Sequence, residues 1–107
     1  MSEKAWKRTE RKVASKLGGE RIPITGRARG SAPDVATSWA CVEVKHRKAL
    51  PQWLLEAVAQ ACASAQDDQL PVVVLHGSGM RHDSDLVVMR LRDFRAWYGE
   101  LERADEG

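Results

Sequence analysis

The sequence is poor in cysteine and in the smaller aromatics: two Cys, one Tyr and one Phe in 107 residues. Neither cysteine sits in a C-x-x-C spacing, which argues against a disulfide framework and against a cysteine zinc site. Cys41 and Cys62 lie among apolar neighbours and read as buried free thiols in a reducing compartment. No apolar run approaches the roughly 20 residues of a membrane span. Met1-Ser2-Glu3-Lys4 lacks the apolar core of a signal peptide. There is no internal repeat and no low-complexity tract. His46, His76 and His82 are too dispersed for a zinc motif. Gly77-Ser78-Gly79 lacks the lysine of a phosphate-binding P-loop, leaving a loop that with Arg81 offers a contact to DNA. These absences point to one folded domain over 1–107, without a membrane.

Lysine is also absent after Lys48, and the charge is correspondingly uneven. Up to Lys48 there are twelve Lys and Arg against five Asp and Glu, a net +7; from Ala49 there are five against ten, a net −5. Such asymmetry suits a polyanion partner, although a solvated Lys-rich surface gives the same composition.

Residues 3 to 17 contain no Gly or Pro and read as a helix capped by Ser2 and ended by Gly18-Gly19. Glu20 to Thr25 reads as extended and Gly26 to Ala32 as a loop. Asp34 to Thr37 and Ala40 to Arg47 read as strands joined through Ser38-Trp39. A second helix starts at Pro51 and runs to about Gln66, with Leu54, Val58, Ala61, Cys62 and Ala65 on one face. The continuous apolar run Leu70 to Leu75 predicts a strand buried on both faces. Gly77 to Asp83 is a loop and Leu86 to Arg90 a strand. A last helix spans Arg92 to Glu102, with Phe94, Trp97, Tyr98 and Leu101 inward, before a frayed tail from Arg103. The order α-β-β-β-α-β-β-α predicts an α/β fold, a mixed sheet flanked by helices.

The chemistry sits in Pro33-Asp34 and Val42-Glu43-Val44-Lys45. Strand alternation puts Glu43 and Lys45 on one face and Val42 and Val44 on the other. A two-residue loop at Ser38-Trp39 pairs Thr37 with Ala40, Ala36 with Cys41, Val35 with Val42 and Asp34 with Glu43. Two carboxylates and an ammonium then share one patch. Adjacent carboxylates repel unless a cation lies between them. Mg²⁺ takes oxygen ligands and keeps several waters, so such a pair plus a phosphate oxygen suits it. A Glu–Lys pair on a solvated strand face, with Asp34 as a turn residue, is the plainer alternative. Helix 1 adds Glu10, which completes the apolar stripe of Trp6, Val13 and Leu17 at helical spacing. A carboxylate there is costly unless paired or metal-bound. The alternative is a Glu10 at the stripe's edge, paired with Lys7 or Arg11 in solvent.

In these segments the chain resembles the PD-(D/E)xK nucleases, and among them the small Holliday junction resolvases of archaeal type and their phage relatives. The likeness runs from Glu10-Arg11-Lys12-Val13 to Gly19, through Arg21 to Gly30, to Pro33-Asp34-Val35, Val42-Glu43-Val44-Lys45 and the helix from Pro51. Thr25-Gly26 stands where the family commonly has Ser-Gly. The resemblance implies a restriction-endonuclease-like fold and a homodimer that cuts opposite strands of a four-way DNA junction, leaving 5′-phosphate ends. Asp34, Glu43 and the Val44 carbonyl would hold Mg²⁺, or Mn²⁺ in its place. Lys45 would be the catalytic lysine and Glu10 the helix acid. It implies a cytoplasmic enzyme, in the host cytoplasm if phage-encoded. Lys7, Arg11, Thr25, Arg27, Arg29, Arg47 and Lys48 are candidate DNA contacts. Gln60 shares a helix face with Trp53 and is a possible accessory residue, a solvent-facing Gln being the alternative. Trp39 and Trp53 suit base stacking, a dimer contact or core packing. A restriction-like or nicking endonuclease of the same fold is a second reading, and a catalytically silent DNA-binding module a third.

Overall fold

A computed structural model describes residues 4–21 and 34–106, with side chains for all of these except Glu20 and 100–106. The chain is mixed α/β. Its described elements run α1 (Ala5–Leu17), β1 (Glu20–Arg21), β2 (Val35–Ala36), β3 (Cys41–Val42), α2 (Gln52–Ser64), β4 (Val73–Leu75), β5 (Leu86–Val88) and α3 (Leu91–Glu106). The order of helices and strands is the one the sequence predicts. The described strands, however, pair as two antiparallel sheets, β1-β2-β3 and β4-β5, where a single mixed sheet was expected. Each strand pairs with its neighbour in sequence, the least demanding connection. The chain divides into two compact units, Met1–Lys48 and Ala49–Gly107. That boundary is also where the charge changes sign.

In the first unit, α1 runs uninterrupted because it contains no Gly or Pro. It begins at Ala5, and Lys4 at the N-cap position provides no side-chain cap. Ser2, the expected cap, lies outside the described residues. The helix ends as expected. Gly18 takes a left-handed φ of 72°, its amide donates to the Ser15 carbonyl at 3.4 Å, and the Gly19 amide donates to the Ala14 carbonyl at 2.8 Å. This double bond pattern is the Schellman stop. Gly19 then passes so close to β2 that a Cβ on it would run into the Ala36 carbonyl oxygen. β1 pairs Arg21 with Val35, and β2 pairs Val35 with Val42 and Ala36 with Cys41. α1 packs against β1 and β2, burying Ala14 over the fully enclosed Val35 face.

In the second unit, α2 starts after Pro51 and turns Leu54, Val58, Ala61 and Cys62 to its half-buried side, as the spacing predicts. β4 and β5 pair Val73 with Val88, Val74 with Val87 and Leu75 with Leu86. The expectation that residues 70 to 75 are buried on both faces is not met: Val74 and its partner Val87 are each 58% exposed. An apolar run without alternation hides which face is covered. α3 continues to Glu106, past the predicted end at Glu102. Arg103-Ala104-Asp105-Glu106 holds no Gly or Pro to stop it. Phe94 and Tyr98 are half-buried on α3, their rings stacked at 6.3 Å, whereas Trp97 faces outward at 43% exposure.

Candidate active site

The hairpin around residues 37 to 40 sets the site. The Thr37 hydroxyl donates to the Ala40 carbonyl at 2.7 Å, and the Ala40 amide donates to the Thr37 hydroxyl oxygen at 2.7 Å. This local clasp closes the loop and fixes the register predicted for Val35–Val42 and Ala36–Cys41. Cys41 is exposed rather than buried, because alternation puts it on the outward face with Glu43; Cys62 is half-buried, and both thiols are free.

One rung further, Asp34 and Glu43 do not form a ladder pair. The Asp34 amide donates to the Val42 carbonyl at 2.9 Å, and the Val44 amide donates to Asp34 Oδ2 at 2.7 Å. The carboxylate of Asp34 therefore takes the place of a neighbouring strand for Val44. This is why strand pairing stops at Val42, short of the expected Arg47. Asp34 is 9% exposed, and its second oxygen, Oδ1, has no donor among the described residues. Beyond it the alternation holds: Val42 and Val44 are half-buried, while Glu43 and Lys45 are exposed. Neither Glu43 nor Lys45 has a hydrogen-bonding or ionic partner among the described residues.

Glu10 settles inward. It is 6% exposed, and the Arg21 Nε donates to its Oε2 at 2.5 Å. The alternative of a solvent pairing with Lys7 or Arg11 is not the one adopted. Lys7 instead places its ammonium 5.5 Å from the centre of the Trp6 ring, and the Arg21 guanidinium lies at the same distance from that ring. Trp6 itself is 41% exposed, so the stripe proposed for α1 turns by about one residue towards Ala14. Arg11 lines an open cleft of about 520 Å³ with Ala14, Ser15, Gly19 and Arg21.

Arg21 is the residue that sequence reasoning missed. Its register opposite Val35, beside Asp34, brings its guanidinium beneath Glu10. The signal was Glu10 itself, an inward carboxylate that demands a cationic partner. His46, set aside as incidental, has its Nδ1 2.6 Å from the Thr9 hydroxyl of α1, tying the segment after Lys45 to the helix. Arg47 and Lys48 are exposed, as a phosphate contact requires. Gln60 and Trp53 are both exposed on α2. Thr25, Arg27 and Arg29 lie outside the described residues.

The histidines are less scattered in space than in sequence. His76 and His82, read from the sequence as too dispersed for a zinc motif, gather around Asp85 in the second unit. No known protein family, curated protein or solved structure matches the chain. No helix among the described residues is long and apolar enough to cross a membrane.

Proposed function

We propose that the chain is a Mg²⁺-dependent endodeoxyribonuclease of restriction-endonuclease-like fold, resolving branched DNA as Holliday junction resolvases do. The observation that carries this reading is the Asp34 carboxylate, buried with one oxygen on the Val44 amide and the other without a donor among the described residues. A buried carboxylate oxygen with nothing to satisfy it is expensive, and a cation removes that cost. Asp34, the neighbouring Glu43 and the Val44 carbonyl form an all-oxygen donor set, which fits Mg²⁺, with Mn²⁺ as a substitute. When bound, the ion supplies Lewis acidity at the phosphate.

The chain's own groups do the rest. Asp34 holds the Glu43–Lys45 segment against the sheet edge, so the Lys45 ammonium is presented to solvent from a fixed backbone. There it orients the attacking water and offsets charge developing on the phosphate. Glu10, locked to Arg21, adds a third carboxylate from α1. Lys7, Arg11, Arg47 and Lys48, with Thr25, Arg27 and Arg29, give a basic half suited to the phosphate backbone. Paired cuts on opposite strands, leaving 5′-phosphate ends, call for two copies related by a two-fold axis.

Labelled four-way junction, duplex and single-stranded DNA incubated with the protein, with and without Mg²⁺, test the reading directly. Mg²⁺-dependent cleavage with preference for the junction, and a dimer mass in solution, are expected. A monomer that cuts linear duplex at least as well as junctions sinks resolution in favour of restriction-like cleavage. Binding without cleavage of any substrate leaves only the binding-module reading.

A further inference from the structure

The β4–β5 hairpin carries a second group of side chains that the nuclease reading does not use. Its register pairs Leu75 with Leu86, so His76 and Asp85 fall opposite each other as the next pair. The connection between them is built from two tight turns. In the first, the Met80 amide donates to the Gly77 carbonyl at 3.0 Å, with Gly79 at a φ of 88° that favours glycine. In the second, a 3₁₀ turn over His82–Ser84, the Asp85 amide donates to the His82 carbonyl at 3.0 Å. Together they fold His82 back over His76, with ring centroids 4.4 Å apart and planes 27° from parallel. Asp85 lies between them: His76 Nδ1 is 2.6 Å from its Oδ1 and His82 Nδ1 is 3.1 Å from its Oδ2.

We propose that His76, His82 and Asp85 bind a divalent cation of the zinc type. One nitrogen or oxygen from each residue lies within 4.8 Å of the other two. Two imidazoles and a carboxylate are the donors of three-residue zinc sites that leave a fourth position to solvent. Nitrogen donors disfavour Mg²⁺, so this site is chemically distinct from the oxygen set at Asp34 and Glu43. A carboxylate only accepts, so in the present arrangement each Nδ1 carries the shared proton. On binding, each Nδ1 proton passes through solvent to Nε2 of its own ring, and the cation takes the freed Nδ1 lone pair from each ring and an oxygen from Asp85. Bonds of about 2.0–2.1 Å in a tetrahedron set ligand atoms roughly 3.3 Å apart, so the 2.6 Å contact of His76 with Asp85 must open and the side chains must shift slightly on binding. His82 is free to do so, its side chain being 85% exposed, while the Asp85 side chain is held at 12% exposure.

Calorimetric titration of ZnCl₂ into the full chain under reducing conditions tests this. One Zn²⁺ per chain is expected, undisturbed by excess Mg²⁺. His82→Gln and Asp85→Asn should each weaken Kd by about tenfold or more, or about 1.4 kcal/mol. His82→Gln should leave the circular dichroism unchanged, so its loss of binding is not a loss of fold. Asp34→Asn should bind Zn²⁺ as tightly as the parent. Absence of Zn²⁺ binding, its displacement by Mg²⁺, or unchanged affinity in His82→Gln would each overturn the proposal.

Discussion

Among the described residues, Met1–Lys48 buries four side chains, Glu10, Ala14, Asp34 and Val35, and Ala49–Gly107 buries none. Two of the four are carboxylic acids. The second unit does the reverse: its charged groups pair at the surface, as Arg90 does with Asp93, and it leaves Trp53, Val74, Leu86 and Val87 more than half exposed. A unit with so little interior gains nothing in stability by giving half of it to carboxylates. Local rules of folding are commonly broken at functional sites, and the two buried carboxylates of the basic unit are what the proposed function draws on.

The largest test of that contrast is chemical. Asp34→Asn keeps an oxygen for the Val44 amide and removes only the charge. Cleavage should fall by about a hundredfold or more, the scale of losing a group that stabilises transition-state charge. Thermal unfolding should hardly move, and DNA binding by gel shift should persist. Full cleavage would return Asp34 to a purely structural role. Lys45→Ala, at an exposed position without partners among the described residues, should lose cleavage with no change in stability.

Glu10 sharpens the comparison on stability. Read as an unpaired inward carboxylate, Glu10→Gln would be harmless to the fold. The Arg21 pairing reverses that expectation, since a part-buried guanidinium would lose its counter-charge. Denaturant unfolding should show a loss of about 1–3 kcal/mol. An unchanged midpoint would mean that Arg21 swings out to solvent. Gly19→Ala should cost about 1–3 kcal/mol as well, by forcing α1 away from the Ala36 carbonyl.

The smallest effect belongs to the acidic unit. The Arg90 hydrogen bond holds the Asp93 carboxyl below its ordinary value, and the same contact raises Arg90. A depressed carboxyl adds stability above its unfolded value, lost as pH falls through the folded one. Both groups are open to solvent, so Asp93→Asn should leave the neutral-pH midpoint within error and only flatten the acid limb of the pH–stability curve. A large loss at pH 7 would contradict the contrast drawn between the units.

Much of the first unit was legible in the residues. Gly18-Gly19 marks the helix end, Ser38-Trp39 sets the hairpin register, and the Val–Glu–Val–Lys alternation sorts inside from outside. Each is a local rule with a short reach. What escaped was contact across sequence. Arg21 meets Glu10 only after α1 folds onto β1, and the ladder ends at Val42 because a side chain substitutes for a strand. The His76–Asp85 pairing follows from the β4–β5 register, which an apolar run without alternation conceals.

The bond from Val44 to Asp34 makes one backbone amide a resident reporter. Its proton is deshielded by a carboxylate rather than by another peptide, so its resonance answers to the electron density on that carboxylate. A cation drawing on Asp34 would move the Val44 cross-peak upfield and speed its exchange with deuterated solvent, while amides within α1 stay still. Occupancy of the site could then be followed on one signal, without DNA and without turnover, in a protein small enough for every amide to be assigned.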